Sequence, residues 1–432
     1  MRVQGEGMRL RVSGRIFTPD GVVEGSVTIK DGVISRVSAG GLPEAADLAY
    51  HEDDHVVLPG LIDMHVHMRD FEQCDEEDFL SGTGAAAMGG YTVVVDMPNT
   101  KPPVNAPRTL AARESRARKR ALVDYGLYYG VPNDERGLSD EVQKLALGIK
   151  VFMQREYYST MRPAVLEALN FASKRDLPVI VHAENPAFYV DRGMGPAGTP
   201  EAESSAISDI SGIADEMGFR LHVTHLSSAM GVRAMRRWRK KIHLTADTCP
   251  CYLLLTEKDV RRIGPVAKVH PPIKGGRDRD ALVRALRGGS VDAVSSDHAP
   301  HLPDEKGNFR QGAPGFPGLE TTLPLMLTLV KRGVLRLEDV VRACATAPAM
   351  ILGLRGLGSI EEGKIGNLTV VDLARRWTVD PRAFVSKAKY TPFGGFEVTG
   401  APVATIVRGR PVMENGRIVG RPGWGRNVIA LR

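Results

Sequence analysis

The sequence predicts an α/β fold, in which a TIM (β/α)8 barrel carries a small β-sandwich domain built from both chain termini. The middle of the chain alternates apolar, β-rich runs with helix-like runs, the pattern of parallel strands joined by crossover helices. The two ends instead carry short strands and tight turns. The length of 432 residues exceeds the usual size of a single core. We therefore expect the N-terminal half of the β-sandwich over 1–58, the barrel over 59–355 and the C-terminal half of the β-sandwich over 356–432.

Each β-rich end contains a hairpin signal. Asp31-Gly32 separates the alternating runs 26–30 and 33–37, and Asn415-Gly416 leads into the run 417–419. Asp-Gly and Asn-Gly readily adopt the positive φ angles that tight hairpin turns need. Because both ends share this pattern of short strands and tight turns, we expect them to form one small domain.

Eight apolar runs between residues 59 and 355 are candidate strands. They are 61–67, 92–96, 124–129, 149–152, 178–182, 220–225, 242–247 and 292–295. Eight βα units predict a TIM barrel, whose chemistry lies at the carboxyl ends of the strands.

The first run contains His65-Val66-His67. In a strand alternate side chains point the same way, so His65, His67 and Arg69 would share one face. Neutral imidazole is a good zinc ligand, and the two-residue spacing brings both rings to one ion. The alternative is a pair of histidines on a polar strand face.

Further polar residues stand at later strand ends. Lys150 lies inside a buried strand, where an unpaired ammonium costs several kcal/mol or becomes neutral. Either carbamylation, which makes an anionic metal ligand, or a carboxylate partner would explain it. His182 and His225 also end apolar runs, and each alone is explained as a hydrogen-bonded core histidine. His222 lies on the opposite strand face from His225, so we choose His225.

Asp297 follows the eighth run. A carboxylate there can coordinate a metal with one oxygen and handle a proton with the other, or it can simply cap the next segment. The joint occurrence of His-x-His, Lys, His, His and Asp at successive strand ends favours a metal centre over separate structural roles.

Composition limits the other possibilities. The net charge of +6 comes from arginine-rich patches at 116–120 and 236–241. Both patches lie in segments with a helix-like sequence pattern, so they are better explained as solvent-exposed helix faces than as nucleic-acid binding sites. No apolar run approaches the ~20 residues of a membrane span. The polar start and four scattered cysteines predict a cytoplasmic, reduced protein without a disulfide framework.

The chain resembles the amidohydrolase superfamily, and within it the type I dihydroorotases. The motifs that carry the resemblance are PGLIDMHVHMR at 59–69, DMPNT at 96–100, VHAEN at 181–185, HVTHLSS at 222–228, SDHAPH at 296–301, GLET at 318–321 and KAKYTPF at 387–393.

This resemblance implies two zinc ions and their ligands. His65, His67 and Asp297 would hold one ion, His182 and His225 the other, and N6-carboxylysine at Lys150 would bridge them. A hydroxide between the ions, with Asp297 as acid and base, would open the cyclic amide of (S)-dihydroorotate reversibly to N-carbamoyl-L-aspartate, a step of de novo pyrimidine (UMP) biosynthesis.

The resemblance also implies substrate contacts. A guanidinium grips a carboxylate with two parallel hydrogen bonds, which suits Arg69, and Asn99 and His301 match the family's other carboxylate contacts. His270 stands where the family usually has an asparagine that contacts the ring. Cys249 and Cys251 stand where many relatives have histidines, and we expect these departures near the substrate. The segment 302–318 is either a mobile loop over the site or a simple connection.

Two other functions remain open. Hydantoinases and allantoinases share the metal ligands but generally lack the combination of Arg69 and Asn99. Some dihydroorotase-like proteins are non-catalytic scaffolds, which usually lose metal ligands. The expected partners are the small-molecule substrate and a second copy of the chain in a homodimer, with aspartate transcarbamoylase as a candidate associate; neither nucleic acid nor membrane is expected.

Overall fold

The computed structural model describes residues 8–43, 45–191, 193 and 195–431. The N-terminal strands are β1 (Arg9–Thr18), β2 (Gly21–Lys30), β3 (Val33–Ala39), β4 (Leu48–Tyr50) and β5 (His55–Pro59). The next strands are β6 (Leu61–Val66), β7 (Tyr91–Asp96), β8 (Asp124–Gly130), β9 (Gly148–Phe152), β10 (Val179–His182), β11 (Tyr189–Asp191), β12 (Pro196–Gly198), β13 (Leu221–Val223), β14 (Leu244–Thr248) and β15 (Ala293–Val294). The last are β16 (Leu368–Thr378), β17 (Glu397–Val407), β18 (Arg410–Glu414) and β19 (Arg417–Ile418).

The α-helices connect the strands or cover the barrel. They are α1 (Phe79–Met88), α2 (Pro107–Arg120), α3 (Asp140–Leu145), α4 (Arg162–Lys174), α5 (Pro200–Met217), α6 (Ala229–Trp238), α7 (Pro250–Leu254), α8 (Glu257–Ile263), α9 (Gly276–Arg287), α10 (Leu319–Lys331), α11 (Leu337–Val341) and α12 (Ala347–Ile351). Short 3-10 turns cover Glu135–Gly137, Pro186–Phe188, Pro265–Ala267, Pro303–Lys306, Pro381–Ala383 and Val428–Leu431, and a π turn covers Arg342–Thr346. Among the described residues, none of the helices has both the length and the apolar character of a membrane span.

Eight parallel strands form the predicted barrel, in the order β6-β7-β8-β9-β10-β13-β14-β15. The first and last strands meet just beyond their ends, where the N–H of His67 donates to the carbonyl of His298 at 2.8 Å. The buried carboxylate of Asp63 on β6 also accepts the N–H of Ser296 at 3.0 Å. The barrel and its eight strand positions are therefore confirmed.

The terminal strands form one nine-stranded sheet, with β4 beside β1 and the order β19-β18-β17-β16-β5-β1-β2-β3. Strand β16 lies antiparallel to β5, which joins the two ends of the chain. The two predicted hairpins are present, with Lys30 opposite Val33 and Glu414 opposite Arg417. A small β-region built from both termini is thus confirmed. Its exact boundaries stay a prediction.

A buried ion pair fixes helix α2 to the barrel below the loop that follows β6. The guanidinium of Arg113 is fully buried; its Nε donates to Asp96 Oδ2 at 2.8 Å and its Nη1 to the carbonyl of Arg69 at 2.7 Å. The other oxygen of Asp96 accepts the N–H of Met68 at 2.8 Å. This pair therefore holds the backbone of Met68 and Arg69, just beyond the end of β6.

Replacing Arg113 by alanine should destabilise the protein strongly, because it leaves the carboxylate of Asp96 buried without its partner. Breaking a buried ion pair from one side costs about 3–5 kcal/mol. Thermal and denaturant unfolding measure the loss. The matched control is Arg136→Ala. The side chain of Arg136 is 91% exposed and pairs with Asp134, so its removal should leave the free energy of unfolding unchanged. Equal effects of the two variants would contradict the prediction.

Candidate active site

The carboxyl ends of the barrel strands surround a cavity of about 290 Å³. Nine of the ten residues that the sequence singles out line it: His65, His67, Arg69, Asn99, His182, His225, His270, Asp297 and His301. The tenth, Lys150, is fully buried on β9. The predicted constellation is thus brought together at the end of the barrel where chemistry is expected.

Two histidines and a carboxylate converge at the base of the cavity. Asp297 Oδ1 lies 3.3 Å from His65 Nε2 and 3.4 Å from His67 Nε2. One ligand atom from each of the three residues lies within 4.8 Å of the other two, so these residues could hold a metal ion. His67 Nδ1 lies 2.9 Å from Asn99 Oδ1. If Nδ1 donates to this amide oxygen, Nε2 is left as a free acceptor.

A second pair of histidines adjoins the first. The ring of His225 lies 4.5 Å from that of His182 and 5.2 Å from that of His65, measured between centroids. His182 Nε2 lies 2.7 Å from a carboxylate oxygen of Glu184. A carboxylate in this position fixes the tautomer of a metal-binding histidine and leaves its other nitrogen free. The sequence motif contains Glu184, but its role was not predicted.

The buried amine of Lys150 lies among the same groups. Its Nζ donates to Thr224 Oγ1 at 3.2 Å and lies 4.9 Å from the ring centroid of Phe152. Among the described residues no carboxylate forms an ion pair with it, so the carboxylate-partner explanation does not apply. Burial lowers the pKa of Lys150 to about 7, which makes the neutral amine accessible near neutral pH.

Several site residues face the cavity because of their backbone conformation beyond the strand ends, and not because of the alternation of side chains along a strand. Strand β6 ends at Val66 and β13 ends at Val223, before Arg69 and His225 respectively. Arg69, His225 and Asp297 have φ angles of 47°, 41° and 48°. Left-handed backbone is rare for residues other than glycine and concentrates at functional sites. The expectation that Arg69 shares a strand face with His65 is therefore wrong. Arg69 does line the cavity, but it lies beyond the end of the strand.

A buried aspartate supports this backbone. Asp247 on β14 accepts the N–H of His225 at 2.5 Å, and its other oxygen lies 3.1 Å from His222 Nε2. His222 is thus a hydrogen-bonded core residue, as its position in the strand predicts. The role of Asp247 was not predicted, and the signal that could have found it is an aspartate at the end of the apolar run 242–247.

Arg69 belongs to a second polar group on the wall of the cavity. Its Nε donates to the carbonyl of Pro300 at 2.9 Å and lies 3.3 Å from Glu76 Oε2, and its Nη2 lies 3.1 Å from His301 Nε2. Glu76 Oε2 also lies 3.3 Å from His301 Nδ1. Glu76 was not predicted, because it comes from the irregular segment between β6 and α1.

The departures from the family pattern lie in different places. His270 lines the cavity, and burial lowers its pKa to about 4, so it is neutral. Cys249 and Cys251 are buried at the start of α7 and are not among the described residues of the cavity wall. Of these departures only His270 lines the cavity, and its contact with the substrate stays a prediction.

The segment 302–318 forms part of the wall through Ala313, Pro314 and Gly315. The buried amine of Lys306 donates to the carbonyls of Ala313 and Gly315 at 2.7 and 2.6 Å. The segment thus covers the site and is more than a remote connection. Its mobility stays a prediction.

The donor set fits divalent metal ions. The His65 Nδ1 and His225 Nδ1 atoms are buried and have no hydrogen-bond partner among the described residues. Burial lowers the pKa of His65, His67 and His225 well below the usual value, so their rings are neutral, which is the form that binds metals. Burial also raises the pKa of Asp297 to about 7. Four imidazoles and a carboxylate on one cavity floor are the ligand types that zinc prefers.

Comparison with known proteins agrees with this geometry. A family model described as "Amidohydrolase family" matches residues 56–412. The chain is 34% identical over 425 residues to a dihydroorotase of Pyrococcus furiosus, which covers 98% of this chain and 96% of the relative. It is also 34% identical over 424 residues to a dihydroorotase of Methanothermobacter thermautotrophicus, covering 94% of each.

Solved structures give the same fold. The L-hydantoinase (dihydropyrimidinase) of Arthrobacter aurescens has a TM-score of 0.90 and 30% identity, covering 96% of this chain and 98% of that one. The dihydropyrimidinase of Brevibacillus agri has a TM-score of 0.85 and 25% identity, covering 97% and 98%. The barrel and the terminal sheet are therefore shared over nearly the whole length.

Proposed function

The chain belongs to the amidohydrolase family and, within it, to the dihydroorotases, and from this membership we propose that it hydrolyses the cyclic amide of (S)-dihydroorotate reversibly to N-carbamoyl-L-aspartate. The observation that carries the proposal is the position of Arg69. Arg69 is only 6% exposed and lines the cavity, and its guanidinium lies beside His301. A buried guanidinium beside a cluster of candidate metal ligands is suited to bind a substrate that is a cyclic amide and also bears a carboxylate.

We propose that the metal ions are two zinc ions. His65, His67 and Asp297 would hold one of them, and His182 and His225 the other, with carbamylated Lys150 between them. The close packing of the four rings and the buried amine supports this division. When bound, such ions polarise an amide carbonyl and make a water molecule more acidic.

The side chains of the chain itself would orient the substrate and move the proton. Arg69, Asn99 and His301 would hold the carboxylate, which fixes the ring above the cluster, and His270 would face the ring. Asp297 lies at the cluster and would take the proton from the attacking water and deliver it to the departing ring nitrogen. Because the same groups serve both directions, the site would also close the ring.

A hydantoinase-type activity is the second candidate, because solved hydantoinases share the fold at a TM-score of up to 0.90. Hydantoin has no carboxylate for Arg69 to bind. With such a substrate the guanidinium would keep its ion pair with Glu76 but would have no substrate carboxylate to bind. The arrangement of Arg69 and His301 therefore favours dihydroorotate.

The partners follow from the same membership. The chain acts on a small-molecule substrate. We propose a homodimer in the cytoplasm, with aspartate transcarbamoylase as a candidate associate. Size-exclusion chromatography with light scattering, alone and with that enzyme, tests both associations.

Metal-loaded protein should hydrolyse dihydroorotate faster than hydantoin or allantoin. Removal of metal by a chelator should abolish turnover, and added zinc should restore it, because the carbonyl is then polarised again. Ring opening is followed by absorbance, with metal content measured in the same samples. Faster opening of hydantoin or allantoin would reverse the choice of substrate.

Lys150→Met should lose at least one metal ion and nearly all activity. Methionine fills the buried space of the lysine but cannot be carbamylated, so the fold is kept while the bridging ligand is lost. Elemental analysis gives the metal content and thermal unfolding confirms the fold. A variant that retains two ions and full turnover would refute the bridging role.

Arg69→Met should keep its metal and lose affinity for dihydroorotate. Hydrogen bonds to a charged group contribute about 1.5–3 kcal/mol, so kcat/KM should fall by roughly 10- to 150-fold. The matched control is Arg155→Met, which removes an exposed arginine from the same cavity wall and should change kcat/KM only slightly. If both variants lose activity equally, Arg69 is not a specific carboxylate ligand.

A further inference from the structure

A segment near the C-terminus lies against the active-site loop. We name residues 384–393 the strap. Glu320 on α10 accepts the backbone N–H groups of 385–386 at 2.7 and 3.2 Å. Glu77, which is fully buried, accepts the N–H of Lys387 at 3.3 Å. Two carboxylates of the barrel domain therefore hold the beginning of the strap in place.

The strap reaches the cavity through a tyrosine. The hydroxyl of Tyr390 accepts the N–H of His301 at 3.0 Å and donates to the carbonyl of the same residue at 3.2 Å. A single hydroxyl thus satisfies both backbone groups of His301. Burial raises the pKa of Tyr390, so the hydroxyl keeps its proton and can act as donor.

The strap also contacts the two ends of the segment that closes the cavity. The ring of Phe393 packs edge-on against Phe316, with centroids 6.2 Å apart. The amine of Lys306 lies 5.8 Å from the ring centroid of Tyr390. The strap therefore supports the segment 302–318 near its start and near its end.

The ring of His301 lines the cavity beside Arg69. Its Nε2 lies 3.1 Å from Arg69 Nη2, and its Nδ1 lies 3.3 Å from Glu76 Oε2. The position of this ring depends on the backbone that Tyr390 holds. A small rotation of the His301 backbone would move the ring away from the guanidinium.

We propose that Tyr390 is a positioning residue that sets the affinity for the substrate carboxylate by holding His301. The inference rests on the proposed function, in which Arg69, Asn99 and His301 bind the carboxylate of dihydroorotate. Tyr390 itself touches neither the metal ligands nor the ring-opening machinery in the described contacts. Its effect belongs to substrate binding and not to bond cleavage.

The test is Tyr390→Phe, measured by steady-state hydrolysis of dihydroorotate with the metal-loaded protein. Loss of two neutral hydrogen bonds at the His301 backbone should raise KM by about 10-fold, with kcat changed less than about twofold. Metal content should equal that of the wild type. A fall in kcat with KM unchanged would overturn the proposal.

A double-mutant cycle separates positioning from general support. In a His301→Ala background the hydroxyl has no imidazole to position, so Tyr390→Phe should then leave KM unchanged. An equal rise in KM in both backgrounds would show that Tyr390 does not act through His301, which overturns the proposal.

The matched control is Tyr125→Phe, which removes another tyrosine hydroxyl, one that donates to Glu114 at 2.9 Å near the start of β8. It should lower the melting temperature without raising KM. A rise in KM equal to that of Tyr390→Phe would make the effect one of stability alone and refute the proposal. If wild-type protein does not hydrolyse dihydroorotate, the proposed function fails and the inference with it; wild-type turnover with an unchanged KM in Tyr390→Phe overturns only the inference.

Discussion

Closure of the barrel between its last and first strands is the constraint on which the site depends. Asp297 follows β15 and His65 lies in β6, and these strands are the most distant of the eight in sequence. The hydrogen bond from His67 N–H to the His298 carbonyl, together with the Asp63 contact to Ser296, brings them together. Asp297 Oδ1 then lies 3.3 Å from His65 Nε2. An open sheet of the same strands would leave the carboxylate and the histidines on opposite edges.

Burial of this polar cluster makes sense only if it binds something. Burying the charged forms of the Lys150 amine and of the His65 and His225 imidazoles is costly, and the protein meets that cost by keeping these groups neutral. The direction of the shifts agrees with this: burial lowers the pKa of Lys150 to about 7 and the pKa values of His65 and His225 well below their usual value. Neutral imidazoles with buried, unpartnered nitrogens are poor core residues and good metal ligands.

The sequence predicted the strands and turns, which depend on local periodicity. It did not predict the residues whose roles depend on tertiary contacts. All eight barrel strands and both hairpins follow from apolar runs and turn residues, which act locally. The route of Arg69 and His225 into the cavity depends on left-handed backbone that no alternation pattern encodes. Glu76 and Tyr390 could not be assigned, because each acts on His301 from a segment distant in sequence. Glu184 stood inside a quoted motif, but only its 2.7 Å contact with His182 reveals its use.

The cavity has two halves with different structural origins. The ends of the barrel strands supply the cluster of candidate metal ligands. Irregular segments and the C-terminal strap supply the polar side chains around Arg69 and His301. Loops on a rigid scaffold can change without disturbing the strands, so ring-opening chemistry can be retained while substrate choice varies. This explains how solved hydantoinases share the fold while sequence relatives carry the name dihydroorotase. The fold alone therefore does not decide the substrate, and the proposed choice of dihydroorotate rests on the buried side chain of Arg69, which lies outside the barrel strands.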